Sequence, residues 1–212
     1  MATSSQFLVS RILGVCRAFD GSVLVNLSSR GDVEESVRLA LTGSPGVGKT
    51  TISSFLSHEG LQVVSVESLA ESRGCIDAKD PVDGARPIDV EELFSQLKRD
   101  WSNSPIVSTV IDGHLSHLLP VDCYIIVRCN PSVLRDRLEE RGYTKEKVRQ
   151  NLEWEIIGGA WNEVRSGYPV IELDATSGPI EDKVKQIMEW MTDGFKPDRP
   201  ANPIDWIGKG EA

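Results

Sequence analysis

One octapeptide limits what this chain can become: Gly43-Ser44-Pro45-Gly46-Val47-Gly48-Lys49-Thr50, which meets the spacing G-x-x-x-x-G-K-[ST]. It stands directly behind an alternating apolar run, Val37, Leu39 and Leu41, that reads as a strand. Glycines at 43, 46 and 48 let the backbone curl so that its N–H groups point inward at phosphate oxygens. A helix beginning near Lys49 would add the positive end of its dipole. Lys49 is spaced to reach the β- and γ-phosphates of a nucleoside triphosphate, and the Thr50 hydroxyl to ligate Mg2+. Strand, loop and helix fall in the order the motif needs, so triphosphate binding follows. The reaction does not.

Size and charge narrow the field. A chain of 212 residues with 40% hydrophobic content suits one domain with a full core. Its net charge of −9 argues against bulk attraction to nucleic acid, while leaving room for a local basic patch. Residues 128–149 hold seven basic side chains against four acidic, and residues 65–92 three against eight, so phosphates favour the first segment. Cys16, Cys75, Cys123 and Cys129 have no C-x-x-C spacing and read as reduced packing residues of a cytosolic protein. Arg11 and Arg17 interrupt the apolar residues near the start, which leaves no signal-peptide core, and no membrane span is visible anywhere. For residues 1–36 an organellar presequence, a family-specific extension and an upstream start codon all stay open. The functional unit is expected over 37–193, followed by a Pro-rich tail, 194–212, with Trp206 and Ile207 as an anchor.

Between these ends, helical and strand patterns alternate. Residues 50–60 read as a helix closed by Gly60, 61–66 as a strand, and 67–87 as a turn-rich acidic segment. Asp89 and Glu92 have capping-box spacing ahead of a helix over 90–101. Residues 105–113 and 123–128 are too continuously apolar to be half-exposed strands, as in a parallel sheet covered on both faces. Two helices over 132–142 and 144–164, a fifth strand over 169–174 and a last helix over 179–191 complete the pattern. The alternation predicts an α/β fold, a doubly wound parallel five-stranded sheet with ligands at the strand C-terminal ends.

Asp112 ends the apolar run and should sit beside the phosphate loop, where a carboxylate can hold a Mg2+-bound water; the plain alternative is a turn-starting Asp. His114 follows two residues later, and a loop histidine by itself is as often a solvated residue. His114 and His117 make a weak metal pair, since no other His or Cys accompanies them. Arg137 and Arg141 are four residues apart on one helical face leading into Gly142, a hinge that could swing them onto phosphates; alternatively they bridge Asp136 or Glu140 at the surface. There is no N-K-x-D guanine-reading motif and no S-G-G-Q segment. That leaves a small-molecule or nucleotide kinase as the leading class.

The stretches "LTGSPGVGKTT", "VIDGHLSHLLP", "VRCNPSVLRDRLEERGYTKEKVRQNLEWEI" and the late "IDW" together resemble the small adenylate kinase–related NTPases of archaea and eukaryotic nuclei, the adenylate kinase 6 or Fap7 type. The resemblance covers residues 39–191. It implies a nucleoside monophosphate kinase fold and broad-specificity nucleoside monophosphate (NMP) kinase activity with ATP hydrolysis. It also implies a part in late small-subunit ribosome maturation, through a transient complex with a ribosomal protein. By motif, Gly43, Gly46, Val47, Gly48, Lys49, Thr50, Thr51 and Arg141 would hold ATP, Thr50 and Asp112 Mg2+, and Lys49, Asp112, His114, Arg137 and Arg141 would carry the chemistry. Residues 65–88 would form the NMP lobe and 140–150 a short lid. The compartment implied is the cytoplasm, or the nucleus in a eukaryote. Conventional adenylate kinases follow their Asp-Gly with Phe-Pro-Arg, and that arginine grips both phosphates; here His114, Leu115 and Ser116 stand there. Where the family's lobe often has a basic residue this chain has Glu71, with Arg73 or Arg86 as substitutes.

Overall fold

The computed structural model describes residues 36–79 and 86–210, together with two three-residue strands, β1 (Val15–Arg17) and β2 (Val23–Val25), that pair antiparallel. The core is a second sheet: β3 (Arg38–Thr42), β4 (Gln62–Ser65), β5 (Thr109–Asp112), β6 (Cys123–Arg128) and β7 (Val170–Asp174), in the order β4-β5-β3-β6-β7. Every pairing is parallel. β3 and β6 are buried along their whole length, which is why β6 is apolar without a break from Cys123 to Val127, while β3 carries apolar Leu39, Ala40 and Leu41 between Arg38 and Thr42.

Alternate residues of the strands feed two cores. Leu39, Leu41, Ile125 and Val127 pack with Ile52 and Leu56 of α1 (Lys49–His58). Ala40, Ile111, Tyr124 and Ile126 pack on the opposite face with Val66 and Ala70 of α2 (Val66–Arg73) and Leu93 and Leu97 of α3 (Val90–Asp100). Asp89 accepts from the Glu92 N–H, fixing the start of α3 as its spacing predicts. α4 (Pro131–Glu140) begins with a proline at its first position and an Asn130 cap, and α5 (Lys145–Ile156) with a Thr144 cap. After α6 (Gly159–Glu163) and β7, α7 (Ile180–Thr192) returns to the first core.

Four expectations need correction. The segment after β4 is not wholly turn-like: Ser65 accepts from the Ser68 N–H, Val66 and Ala70 are buried one turn apart, and left-handed Gly74 ends the helix α2. The strand expected over 105–113 shrinks to β5, and Ile106 stands 99% exposed before it. The helix expected over 144–164 breaks at Gly158, which turns left-handed with φ 66°, and Gly159 after it has to lack a side chain because a Cβ there would lie 2.1 Å from the Trp154 indole. The tail runs back onto the body: the Val170 N–H donates to Asp198 O at 2.8 Å, and Trp206 is fully buried while Ile207 is exposed. The expected two-residue anchor is therefore one residue.

Candidate active site

β3 sits where the strand order reverses, with β5 on one side and β6 on the other, so a crevice opens beyond its C-terminal end. The phosphate loop occupies that end. A Cβ at Gly43 would fall 2.2 Å from the Val127 carbonyl oxygen, so only glycine lets the loop leave β3 past β6. Val47 is fully buried and fastens the loop to the first core rather than facing the crevice. Gly48 is left-handed at the N-cap of α1 and supplies no side-chain cap; the Thr51 N–H donates to Gly48 O at 3.1 Å, and the N–H groups of Lys49 and Thr50 are the ones a ligand can take.

Lys49 Nζ donates to Gly43 O at 2.8 Å and Ser44 O at 2.9 Å. Burial pulls its pKa down to about 8; the Asp112 and Glu155 carboxylates act against this and Arg141 adds to it. Asp112 lies opposite Leu41 in the β3–β5 ladder, and Ser53 of α1 donates to its Oδ2 at 2.9 Å. His114 faces the same crevice with its side chain open to solvent on the cavity side; desolvation by the crevice walls first, then Lys49 and His117, lowers its pKa to about 4, so it is a neutral imidazole at ordinary pH. His117 does not join it as a metal ligand. Its Nδ1 is 2.7 Å from Thr42 Oγ1 and its Nε2 2.7 Å from Glu163, so both ring nitrogens are used in packing. Among the described residues no group of three or more His, Cys, Asp and Glu side chains is arranged to hold a metal. Thr50 and Asp112 nonetheless suit Mg2+, which is held through one or two protein oxygens with phosphates and water supplying the rest.

The two arginines part company. Arg141 lies just past the end of α4 and lines the crevice, next to Gly142 with φ 72°. Arg137 does not share its face: Nη2 donates to Ala175 O and Thr176 O, both at 3.1 Å, on the loop after β7. Of the two substitutes in the lobe, Arg86 reaches the cavity wall, paired with Glu67 and Glu71, whereas Arg73 is bound to Asp100. Part of the basic excess of residues 128–149 is likewise engaged away from the phosphate loop. Arg128 is buried against Glu155 and Glu172, and Arg149 bridges Glu146 and Glu153, leaving Arg141 and Lys147 on the cavity.

The cavity is about 1130 Å3. Its floor is Gly48, Lys49, Thr50, Asp112 and His114; Glu67, Lys79, Arg86 and Ile88 form one wall, and Arg141, Tyr143, Lys147, Asn151 and Trp154 the other. Sequence reasoning missed Ser53, which orients Asp112, and Glu155, which accepts from Ser44 Oγ of the phosphate loop at 2.5 Å. A serine three residues past the motif and a glutamate 111 residues from its partner carry no local pattern that marks them.

A protein-family model described as an AAA domain matches residues 39–158. A protein of Pyrococcus abyssi named "Putative adenylate kinase" is 36% identical over 170 residues, covering 79% of this chain and 90% of its own. One of the same name from Methanocaldococcus jannaschii is 35% identical over 174 residues, covering 82% and 94%. The chain belongs to this adenylate kinase–related P-loop family. Shikimate kinase from Acinetobacter baumannii, solved with shikimate, has a TM-score of 0.52 at 14% identity, over 76% of this chain and 96% of that one, a likeness of fold alone. Among the described residues no helix is long and apolar enough to cross a membrane.

Proposed function

We propose that this chain is a nucleoside monophosphate kinase that moves the γ-phosphate of ATP onto AMP or a related monophosphate, with ATP hydrolysis as a second activity. The observation that carries the reading is the continuity of the cavity. At about 1130 Å3 it exceeds a pocket for one small ligand, and it runs from the phosphate loop to the 65–88 segment, room for two nucleotides meeting end to end. The acting unit is taken as residues 37–193, with 1–36 an extension of unassigned role and 194–212 a tail.

The acceptor's phosphate oxygen attacks the γ-phosphorus as the bond to the β,γ-bridging oxygen breaks, and ADP leaves with that electron pair. The acceptor oxygen is already a competent nucleophile, so the protein must supply alignment and positive charge rather than a strong base. Lys49, Gly46, Gly48, Thr50 and Thr51 would cradle the donor, and Arg141 would meet charge growing on the transferred group. Thr50 and Asp112 would hold Mg2+, which when bound neutralises charge on the β- and γ-oxygens. Arg137, tied to residues 175 and 176, supports the wall rather than the phosphates.

A second reading, an ATP-hydrolysing assembly factor that releases a small-subunit ribosomal protein, is favoured by two observations. Arg86, the remaining lobe arginine on the cavity, is already paired with two carboxylates, and His114 offers a neutral imidazole able to point water at the γ-phosphate. That role would fit a cytoplasmic or nuclear site of action. ADP formed from ATP plus AMP, measured beside phosphate released without AMP, tests both. Diphosphate formation supports the kinase, phosphate release alone leaves the factor, and neither product overturns both.

A further inference from the structure

Two sequence stretches, the Asn151-x-x-x-Glu155-Ile156 helix end and the late Ile204-Asp205-Trp206, have no part in the chemistry described so far, yet they meet at the phosphate loop. Glu155 is 1% exposed. Its Oε2 accepts from Ser44 Oγ at 2.5 Å; its Oε1 accepts from Arg128 Nε at 2.7 Å, Trp206 Nε1 at 3.0 Å and the Cys129 N–H at 3.2 Å. Arg128 is held in turn by Glu172 at 2.8 Å and the Ile204 carbonyl at 3.3 Å, and lies against the Trp206 ring at 5.8 Å. The tail is closed over this cluster by a further bond from the Ile204 N–H to Glu172 Oε2 at 2.7 Å.

We propose that Glu155 and Trp206 are positioning residues for the nucleotide's phosphates: the C-terminal tail, through Trp206 and Glu155, holds Ser44 and so sets the shape of the phosphate loop. Ser44 is fully buried, and its carbonyl is one of the two oxygens that receive Lys49 Nζ. Fixing its side chain therefore fixes the peptide beside the lysine that must turn toward phosphate. A buried carboxylate keeps its geometry only while its donors are in place and water is excluded, and Trp206 supplies both a donor and the cover. Tail docking and ATP binding then favour the same loop conformation, so each strengthens the other by the same factor. The inference rests on the ATP-binding reading above and adds to it the segment that controls affinity.

The test is direct ATP binding by calorimetry, with hydrogen exchange over residues 200–210, in the full chain. Trp206→Phe keeps an aromatic ring of smaller size and removes the N–H, and Ser44→Ala removes the loop's hydroxyl. Each should weaken ATP by about five- to fiftyfold, within the scale of one lost hydrogen bond to a charged group. The double variant should be little worse than the worse single one, because both act through Glu155. ATP should slow exchange in the tail of the wild type and not of Ser44→Ala. A structural role alone would lower the melting temperature and leave the dissociation constant unmoved. ATP affinity within twofold of wild type in both folded single variants, or fully additive losses, overturns the proposal while leaving ATP binding standing. No ATP binding by the wild type overturns both.

Discussion

Lys49 shows how a buried cation prepares a phosphate site at a cost to the empty fold. Its ammonium is held by two loop carbonyls, and burial brings its pKa from 10.5 to about 8. Between pH 8 and 10.5 the unfolded chain keeps a proton that the folded chain has released, so through this group stability rises with pH across that window. The burden is fully present below pH 8. Lys49→Met lacks this titration. Urea unfolding should show wild type gaining on the variant from pH 8 to 10.5, and a constant difference would mean that the ammonium is not desolvated. The same substitution should abolish ADP formation and phosphate release in a folded protein, since Lys49 is the one cationic side chain of the loop, residues 43–50.

At the scale of elements, the loop's glycines and the end of α4 do different work. Gly43 lies where β3, the loop and β6 touch, and Gly43→Ala would press a methyl onto the Val127 carbonyl. Opening that seam should cost on the order of 3 kcal/mol or more; an unchanged urea midpoint would show that the strands part freely. Arg141, just beyond α4, lines the cavity, and in the reading proposed above it is the cation that would meet the transferred phosphate. Arg141→Ala should slow transfer by roughly tenfold to a thousandfold, the scale of one electrostatic stabiliser, and an unchanged rate would return it to the surface.

These elements also show what the sequence could convey. β3, β6 and the loop were legible because the alternation of Val37, Leu39 and Leu41, the unbroken apolar run of β6 and the glycine spacing are local signals. α2 was not, since only Val66 and Ala70 mark its inner face, although Ser65 and Gly74 sit at its two ends as cap residues do. The divergence of Arg137 from Arg141 was hidden as well. It depends on where α4 stops and on carbonyls of residues 175 and 176, contacts fixed by the tertiary fold and not by spacing.

At the scale of the whole molecule, the question is which acceptor the site serves, and His114 is the residue that can separate them. In the reading proposed above, an NMP brings its own charge and would be positioned by the wall around Arg86 and Ile88, whereas a water molecule has no such handles and would have to be pointed at the γ-phosphate by a nearby group. With its pKa lowered to about 4 the imidazole is neutral across ordinary pH and free to accept that hydrogen bond. His114→Ala should therefore lower phosphate release by about tenfold or more, the range for loss of a water-positioning group, and spare ADP formation from ATP plus AMP. For the assembly-factor reading proposed above, the chain's net charge of −9 would suit a basic partner, the character expected of a protein that lies on ribosomal RNA. If release of such a partner waits on hydrolysis, His114→Ala should hold its ribosomal protein in the presence of ATP where the wild type lets go, as read by pull-down with and without ATP. Equal loss of both activities would assign His114 to the shared phosphate site, and normal hydrolysis with normal release would make it an ordinary loop histidine.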